Sequence, residues 1–183
     1  GAGKSTLIKT CSGAITPTQG EIVINGKSFT GMTPQTSEQN GIGVIYQEFN
    51  LVGDLSVAEN IFLGRAIRKG MVIDLKAMER ESKKILDSLN IKINPKTLVK
   101  TLSVGYQQMV EIAKAVSQNA KLLIMDEPSA PLTSAEVEAM FAIVDKLKAG
   151  GVSIIYISHR LDEIFRLADR ITILRDGQYV TTL

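Results

Sequence analysis

The sequence predicts an α/β fold with a largely parallel central sheet, antiparallel β-hairpins and an inserted α-helical subdomain. Two short apolar runs, within 121–126 and 152–157, have the pattern of parallel strands covered on both faces, and a helical pattern lies between them. Strands that alternate with helices in this way form parallel sheets. A glycine-containing loop directly before a helical segment opens the chain and fits the same class.

The first half of the chain predicts a short helix, three strands and a helical region. Residues 5–12 follow the opening loop as a helix. Asn25-Gly26 joins two strands within residues 20–29, because this dipeptide favours hairpin turns. Residues 43–47 form another strand, and apolar side chains at helical spacing predict a helical subdomain at about 55–115. Its marker positions are Leu75, Met78, Ile85, Leu86 and Leu89.

The second half predicts two helices and a closing hairpin. Thr133 and Glu136 have the spacing of a capping box at a helix start, and Gly150-Gly151 predicts where that helix ends. Residues 161–167 form the next helix. Asp176-Gly177 is a turn signal between the last two strands.

Length and composition limit the function classes. The 183 residues suffice for one core, so we expect a single domain over 1–183. Net charge is +2 and the basic residues are scattered, which argues against a nucleic-acid partner. The apolar runs fall short of the ~20 residues of a membrane-spanning helix. Cys11, the single cysteine, excludes an internal disulfide and is expected to pack within its helix.

The chain opens inside a motif. Gly1-Ala2-Gly3-Lys4-Ser5-Thr6 matches the end of the pattern G-x-x-x-x-G-K-[ST], in which backbone amides surround phosphates at a helix start. Lys4 would bridge the β- and γ-phosphates and Ser5 would bind Mg²⁺. The alternative is a glycine-containing loop that merely precedes a helix. We expect the chain to be a fragment, with the first glycine of the pattern before Gly1.

Two acidic residues end the apolar run 122–125. Asp126 would hold Mg²⁺ and Glu127 would polarise the attacking water, since open α/β sheets bind ligands at the carboxyl ends of their strands. The alternative is a strand that simply ends in two acidic residues.

A second anion site is predicted in Leu102-Ser103-Val104-Gly105-Tyr106-Gln107-Gln108, before a helix. The alternative is that Ser103 only caps this helix. Because one chain does not need two such sites, the second is expected to serve the nucleotide of another subunit.

The order and spacing of these motifs resemble the nucleotide-binding domain of the ATP-binding cassette (ABC) family, a P-loop NTPase-type fold, over essentially the whole chain. The matching segments are Gly1–Thr6 (Walker A), Gln47 (Q-loop), Leu102–Gln108 (signature), Asp126-Glu127 (Walker B), Ala130–Thr133 (D-loop) and His159 (H-loop).

The resemblance implies an ATPase that uses ATP and Mg²⁺, with named residues in each role. Glu127, His159 and Gln47 would be catalytic. Without the resemblance, Gln47 and His159 would pass as ordinary polar residues at strand ends. The implied nucleotide contacts are Gly1, Ala2, Gly3, Lys4, Ser5 and Thr6 in this cassette, and Ser103, Gly105 and Gln107 towards a second one. The implied Mg²⁺ ligands are Ser5, Gln47 and Asp126.

Three positions depart from the family pattern. Val104 replaces a glycine in the signature, although its backbone amide is kept. Pro131 and Thr133 stand in the D-loop where small residues and aspartate are frequent, and Pro131 lacks an amide donor. These departures bear on how the D-loop couples the two cassettes.

Within the family, residues 102–115, 157–164 and 174–178 resemble importers of simple sugars of the ribose and galactoside type. Because Lys4, Glu127 and His159 are retained, the chain resembles the first of two cassettes. The resemblance implies permease subunits and a second cassette as partners, a sugar-binding protein indirectly, no nucleic acid, and a peripheral position on the cytoplasmic face of the inner membrane. The alternatives are an importer of another solute, a translation or DNA-repair ATPase, and a non-catalytic regulatory cassette.

Overall fold

The computed structural model describes residues 3–183. The helices in this range are α1 (Lys4–Cys11), α2 (Pro34–Gln39), α3 (Val57–Ile61), α4 (Leu75–Ser88), α5 (Val104–Ser117), α6 (Ser134–Ala149) and α7 (Leu161–Leu167). A short 3-10 helix, Val99–Thr101, precedes α5. The strands are β1 (Ile22–Ile24), β2 (Lys27–Phe29), β3 (Ile42–Ile45), β4 (Arg68–Lys69), β5 (Val72–Ile73), β6 (Leu122–Asp126), β7 (Ser153–Ile157), β8 (Thr172–Arg175) and β9 (Gln178–Thr182).

The central sheet has the order β3-β6-β7, and both of its strand pairs are parallel. Antiparallel hairpins form from β1 and β2, from β4 and β5, and from β8 and β9. The predicted fold class is therefore confirmed, as are the two hairpin turns predicted at Asn25-Gly26 and Asp176-Gly177. All the carboxyl ends of the central sheet lie at one edge, which is the edge expected to bind a ligand.

Strand β6 is the buried middle of this sheet. Leu123 and Met125 belong to the main hydrophobic core, which also contains the apolar faces of α5 and α6. Ile124, between them, belongs to a second core on the other face together with Ile8 of α1. Side chains of a strand alternate between faces, so an unbroken apolar run is what a strand covered on both sides requires.

The start of α6 has the predicted capping box. The Thr133 side chain accepts a hydrogen bond from the backbone of Glu136, and the Glu136 side chain accepts one from the backbone of Thr133. Gly150 caps the carboxyl end of the helix, as its sequence predicts. The residues that cap helix α6 at both ends are therefore the ones that the local sequence predicts. The helix starts directly after the loop that follows β6.

The region predicted to be mostly helical contains α3, α4 and most of α5, together with a short β-hairpin that the sequence analysis did not predict. Strands β4 and β5 pair around Gly70, whose φ of 65° is in the left-handed region that favours glycine. Each strand has only two residues, too few for a period-2 pattern to be recognised. Leu75 is half-exposed at the start of α4, whereas Met78, Leu86 and Leu89 are buried as expected.

Cys11 packs as predicted, half-buried against the second core. Burial raises the pKa of its thiol, so the thiolate is disfavoured. Within residues 3–183, no helix is both long enough and apolar enough to cross a bilayer.

We expect Leu86→Ala to lower the free energy of unfolding by about 2–5 kcal/mol, because this side chain is fully buried and its removal leaves a cavity. Leu75→Ala, on the same helix but 50% exposed, is the matched control and should change stability by about 0.5 kcal/mol or less. Urea unfolding of the full-length protein measures both. Equal losses in the two variants would contradict the packing of α4.

Candidate active site

The amino end of α1 presents backbone amides that no side chain caps among residues 3–183. Gly3 precedes the helix with φ 87°, and its N-cap position carries no side-chain cap. An added Cβ at this glycine would lie 3.1 Å from the Gly177 Cα, in addition to the strain of the positive φ. Lys4 is half-buried, while Ser5 and Thr6 are exposed. This is the geometry that helix starts offer to anions. Gly1 and Ala2, also predicted to contact nucleotide, lie outside the described residues.

The carboxyl end of β6 faces this helix start. Burial raises the pKa of Asp126, the charge of Glu127 raises it further, and the ammonium of Lys4 opposes both effects. The electrostatic influence of Lys4 on Asp126 requires the two charges to be close together. The structure therefore brings the predicted phosphate-binding cation and the predicted metal-binding carboxylate into one site.

Glu127 follows directly in an uncommon backbone conformation. Its φ is 48°, in the left-handed region, and its backbone amide donates to the Ile157 carbonyl at 2.9 Å. Non-glycine residues held in this region store strain of about 1–3 kcal/mol, and such strain often occurs at functional sites. The bond to Ile157 holds the turn against β7.

His159 lies beside Glu127 on the neighbouring strand end. Its Nδ1 is 3.3 Å from Glu127 Oε1, and the two side chains are 67% and 25% exposed. The register that pairs Asp126 with Ile157 accounts for this meeting, because each catalytic candidate follows its strand by one or two residues. The two residues were predicted from segments more than thirty positions apart in the chain.

Gln47 lies at the same sheet edge. Ile45 of β3 pairs with Met125 of β6, so Gln47 and Glu127 each lie two residues beyond a paired position. Gln47 is exposed. Among the described residues, no hydrogen bond joins its side chain to Asp126 or Glu127, although the register brings all three residues to one edge.

The segment after Gln47 is tied to α5 by Glu111. The Glu111 Oε1 accepts a hydrogen bond from the Asn50 backbone amide at 2.6 Å, in a side chain that is only 6% exposed. Burial raises the pKa of Glu111, while Lys114 and the Asn50 amide oppose this effect. The helix that begins at the second anion site is thus connected to the loop that carries Gln47.

This burial gives a pH-dependent prediction for Glu111→Gln. The folded-state pKa of Glu111 lies above its unfolded value of about 4.3. The folded state therefore loses stability as the pH rises from the unfolded pKa through the folded pKa, because the buried carboxylate becomes ionised. We expect the variant to gain stability relative to wild type between pH 4 and pH 7, while the exposed Glu138→Gln shows no such trend in denaturant titrations. A variant whose stability relative to wild type falls as the pH rises would contradict the predicted direction of this pKa shift.

The second predicted anion site lies at the start of α5. The Ser103 hydroxyl caps the helix by accepting from the Tyr106 amide at 3.4 Å, and it donates to Glu136 Oε1 at 2.9 Å. Gly105 is buried, and a Cβ added there would lie 2.3 Å from the Glu136 carboxyl carbon. Gln107 turns back along the helix, with Nε2 donating to the Leu102 carbonyl at 3.1 Å. The capping function of Ser103 is therefore observed.

Glu136 has a role that sequence reasoning missed. It was predicted as a capping residue of α6 only. Hydrogen bonds from the Thr133 backbone amide and the Ser103 hydroxyl, among others, hold the pKa of its carboxyl below the usual range. Its carboxylate thus lies beside the amides that begin α5, where a ligand anion is predicted to bind. Because Ser103 and Glu136 are 33 positions apart, no local sequence pattern predicts this contact.

The loop between Glu127 and α6 is a series of tight turns. The Ala130 amide donates to the Glu127 carbonyl at 3.2 Å, and the Leu132 amide donates to the Ser129 carbonyl at 3.0 Å. Pro131 stands between these two donors, at a position where its missing amide breaks neither bond. The departure of Pro131 from the family pattern is therefore compatible with this loop.

Comparisons with known proteins agree with the fold. The family model described as ABC transporter matches residues 1–130. A solved nucleotide-free ATP-binding cassette from an ABC transporter is 26% identical, with a TM-score of 0.87 over 99% of this chain and 76% of that one. The ADP conformation of another cassette gives a TM-score of 0.85 at 26% identity, over 99% of this chain and 75% of that one.

Two curated relatives are more similar in sequence. A putative ribose/galactose/methyl galactoside import ATP-binding protein of Agrobacterium fabrum is 52% identical over 100% of this chain and 36% of its own length. A ribose import ATP-binding protein of Geobacillus kaustophilus is 50% identical over 100% of this chain and 37% of its own length. The chain spans little more than a third of these relatives. With the family model covering 130 of its 183 residues, the chain belongs to the ABC transporter family.

Proposed function

We propose that this chain carries the ATP-binding and ATP-hydrolysing site of an importer for simple sugars. The observation that carries this proposal is the 3.3 Å distance between His159 Nδ1 and Glu127 Oε1. Next to Glu127 in the chain is Asp126, whose pKa is raised by burial, an effect that the charge of Lys4 opposes. A cation, a candidate metal ligand and two candidate catalytic groups then share one sheet edge. The sugar substrate is supported by the ribose and galactose import named for the two relatives.

ATP binding is proposed at residues 1–6. The phosphates would lie against the backbone amides at the start of α1, where the helix dipole and the amides both favour negative charge. Lys4 would contact the β- and γ-phosphates as a point charge, and its present neighbour is the carboxylate of Asp126. Lys4 would therefore exchange part of its interaction with Asp126 for the nucleotide.

Mg²⁺ is proposed to bind through Ser5, Gln47 and Asp126. A hydroxyl, an amide oxygen and a carboxylate are all oxygen ligands of the kind that Mg²⁺ prefers, and the ion usually needs few protein ligands besides phosphates. Asp126 is half-buried at the end of β6, where a bound cation would offset the cost of its charge. When bound, the metal would neutralise charge on the β- and γ-phosphates.

Hydrolysis is proposed to depend on Glu127, His159 and Gln47. Glu127 would accept a hydrogen bond from the attacking water and orient it towards the γ-phosphate. His159, next to it and largely exposed, would contact the γ-phosphate oxygens. Gln47 would help to hold the water and the metal. Most of the rate enhancement in phosphoryl transfer comes from positioning and charge stabilisation, which such a cluster supplies.

A second cassette is the proposed partner at the start of α5. Ser103, Gly105 and Gln107 would face a nucleotide held by that cassette, with Glu136 beside them. Closure of the two cassettes around ATP would drive permease subunits at the cytoplasmic face of the membrane, and a sugar-binding protein would deliver the substrate to the permease. We further propose that residues 1–183 form one ATPase domain with a subdomain at about 55–115.

The test is ATP hydrolysis by the full-length protein reconstituted with candidate permease subunits and a candidate sugar-binding protein. We expect ATPase activity that D-ribose or D-galactose stimulates and that amino acids leave unchanged. Stimulation by another solute would reject the sugar assignment while keeping the ATPase. Hydrolysis that responds to nucleic acid or ribosomes instead would reject the importer. Absence of hydrolysis under all conditions would reject the catalytic site itself.

A further inference from the structure

Glu163 is a buried carboxylate directly beneath the candidate active site. It lies on α7 and is only 1% exposed. Three hydroxyl groups converge on its Oε2: Ser129 Oγ donates at 2.7 Å, Tyr156 Oη at 2.8 Å and Ser158 Oγ at 2.9 Å. A carboxylate this deeply buried is costly unless charge and hydrogen bonds compensate it.

Arg160 supplies the compensating charge. Its Nη1 forms an ion pair with Glu163 Oε1 at 3.0 Å, and this oxygen has no hydrogen-bond partner among the described residues. The backbone amide of Arg160 donates to Ser158 Oγ at 3.0 Å. The Ser158 hydroxyl, just before His159, thus accepts from the backbone amide just after His159 and donates to Glu163, which fixes the turn around His159.

The hydroxyls that meet at Glu163 come from the two segments that carry the candidate catalytic groups. Ser129 lies two residues after Glu127, and Ser158 immediately precedes His159. These segments also share the bond from the Glu127 amide to the Ile157 carbonyl. Glu163 therefore joins both loops through a single oxygen, and it touches neither reacting group itself.

We propose that Glu163 is a positioning residue that holds His159 against Glu127. This role rests on the proposed function, because it matters only if those two groups act on ATP. The carboxylate sets the distance between the loop after β6 and the loop after β7. An amide at the same place would offer one oxygen to the three hydroxyls and turn its NH₂ group towards the Arg160 guanidinium, where two donors oppose each other.

The first test is Glu163→Gln in the full-length protein. We expect kcat for ATP hydrolysis to fall at least tenfold while the Kd for ATP changes less than threefold. An unchanged kcat overturns the positioning role and leaves the proposed function standing, provided that wild type hydrolyses ATP. A wild-type protein without hydrolysis overturns both.

A double-mutant cycle separates positioning from a general loss of structure. If Glu163 acts by placing His159, adding Glu163→Gln to His159→Ala should slow kcat no further, because the group being positioned is already absent. Losses that multiply in the double variant would overturn the proposal.

Two milder variants keep the test decisive if Glu163→Gln does not fold. Ser158→Ala and Tyr156→Phe each remove one hydroxyl from the same carboxylate oxygen, at 2.9 and 2.8 Å. Only Ser158 adjoins His159. We expect Ser158→Ala to lower kcat at least fivefold and Tyr156→Phe to leave it within twofold at equal melting temperature. Equal effects of the two variants would overturn the role of Glu163 in placing His159.

Discussion

Replacing Glu127 by glutamine in the full-length protein is expected to lower the ATP turnover number by about 10²–10⁴-fold, the range that general-base catalysis contributes. The amide has nearly the same shape as the carboxylate but does not take a proton from water. The backbone strain at φ 48° is the same for both side chains. The loss should therefore fall on the chemical step alone.

Binding of ATP by Glu127→Gln should be retained, because Lys4 and the amides of α1 are unchanged. Turnover is measured by phosphate release at saturating ATP, and binding by equilibrium titration with a fluorescent ATP analogue. Glu138→Gln on the exposed side of α6 is the matched control and should hydrolyse ATP at the wild-type rate. Near-normal hydrolysis by Glu127→Gln would reject the catalytic assignment of this residue.

Replacing Lys4 by alanine has the largest expected effect on binding. A hydrogen bond to a charged group contributes about 1.5–3 kcal/mol, so losing the ammonium should weaken ATP binding by about 10- to 100-fold. The opposing influence of Lys4 on the pKa of Asp126 also disappears. The carboxylate then becomes harder to ionise, which should weaken Mg²⁺ binding in the same variant.

Lys9→Ala is the matched control for this prediction. Lys9 lies on the same helix and is exposed, in the last turn instead of the first. It should bind ATP as wild type does when both variants are titrated in the presence and absence of Mg²⁺. Equal weakening in the two variants would show that the net charge of the helix, and not the position of Lys4, determines affinity.

Local sequence patterns were sufficient to predict strand β6, the start of helix α6 and two hairpin turns. The apolar run of β6 predicted its burial on both faces, and the capping box at Thr133 predicted the first residue of α6. The turn dipeptides Asn25-Gly26 and Asp176-Gly177 predicted two hairpins. The hairpin of β4 and β5 was missed because its strands are shorter than any recognisable period. A nearby helical pattern also suggested the wrong class for this segment.

The candidate site was predictable as a set of motifs, but its supporting contacts were not. The residue types at 1–6 and 126–127 predict phosphate and metal binding from their own pattern, whereas His159 was predicted only from the resemblance to the family. Glu163 and Glu136 act through partners that lie far away in sequence or on another element, such as Ser129 and Ser103. The sequence predicted Glu136 only as a capping residue of α6 and gave Glu163 no role, so neither of these long-range contacts was predicted.

The structure of the full-length Glu127→Gln variant with Mg²⁺ and ATP would test the central claim most directly. We predict that the β- and γ-phosphates lie within hydrogen-bond distance of Lys4 Nζ and the amides of α1, with the metal on Ser5 and Asp126. A γ-phosphate should also be contacted by His159 and by Ser103 of a second cassette. Phosphates bound elsewhere, without contact to Lys4 or to the amides of α1, would contradict the proposed ATP site.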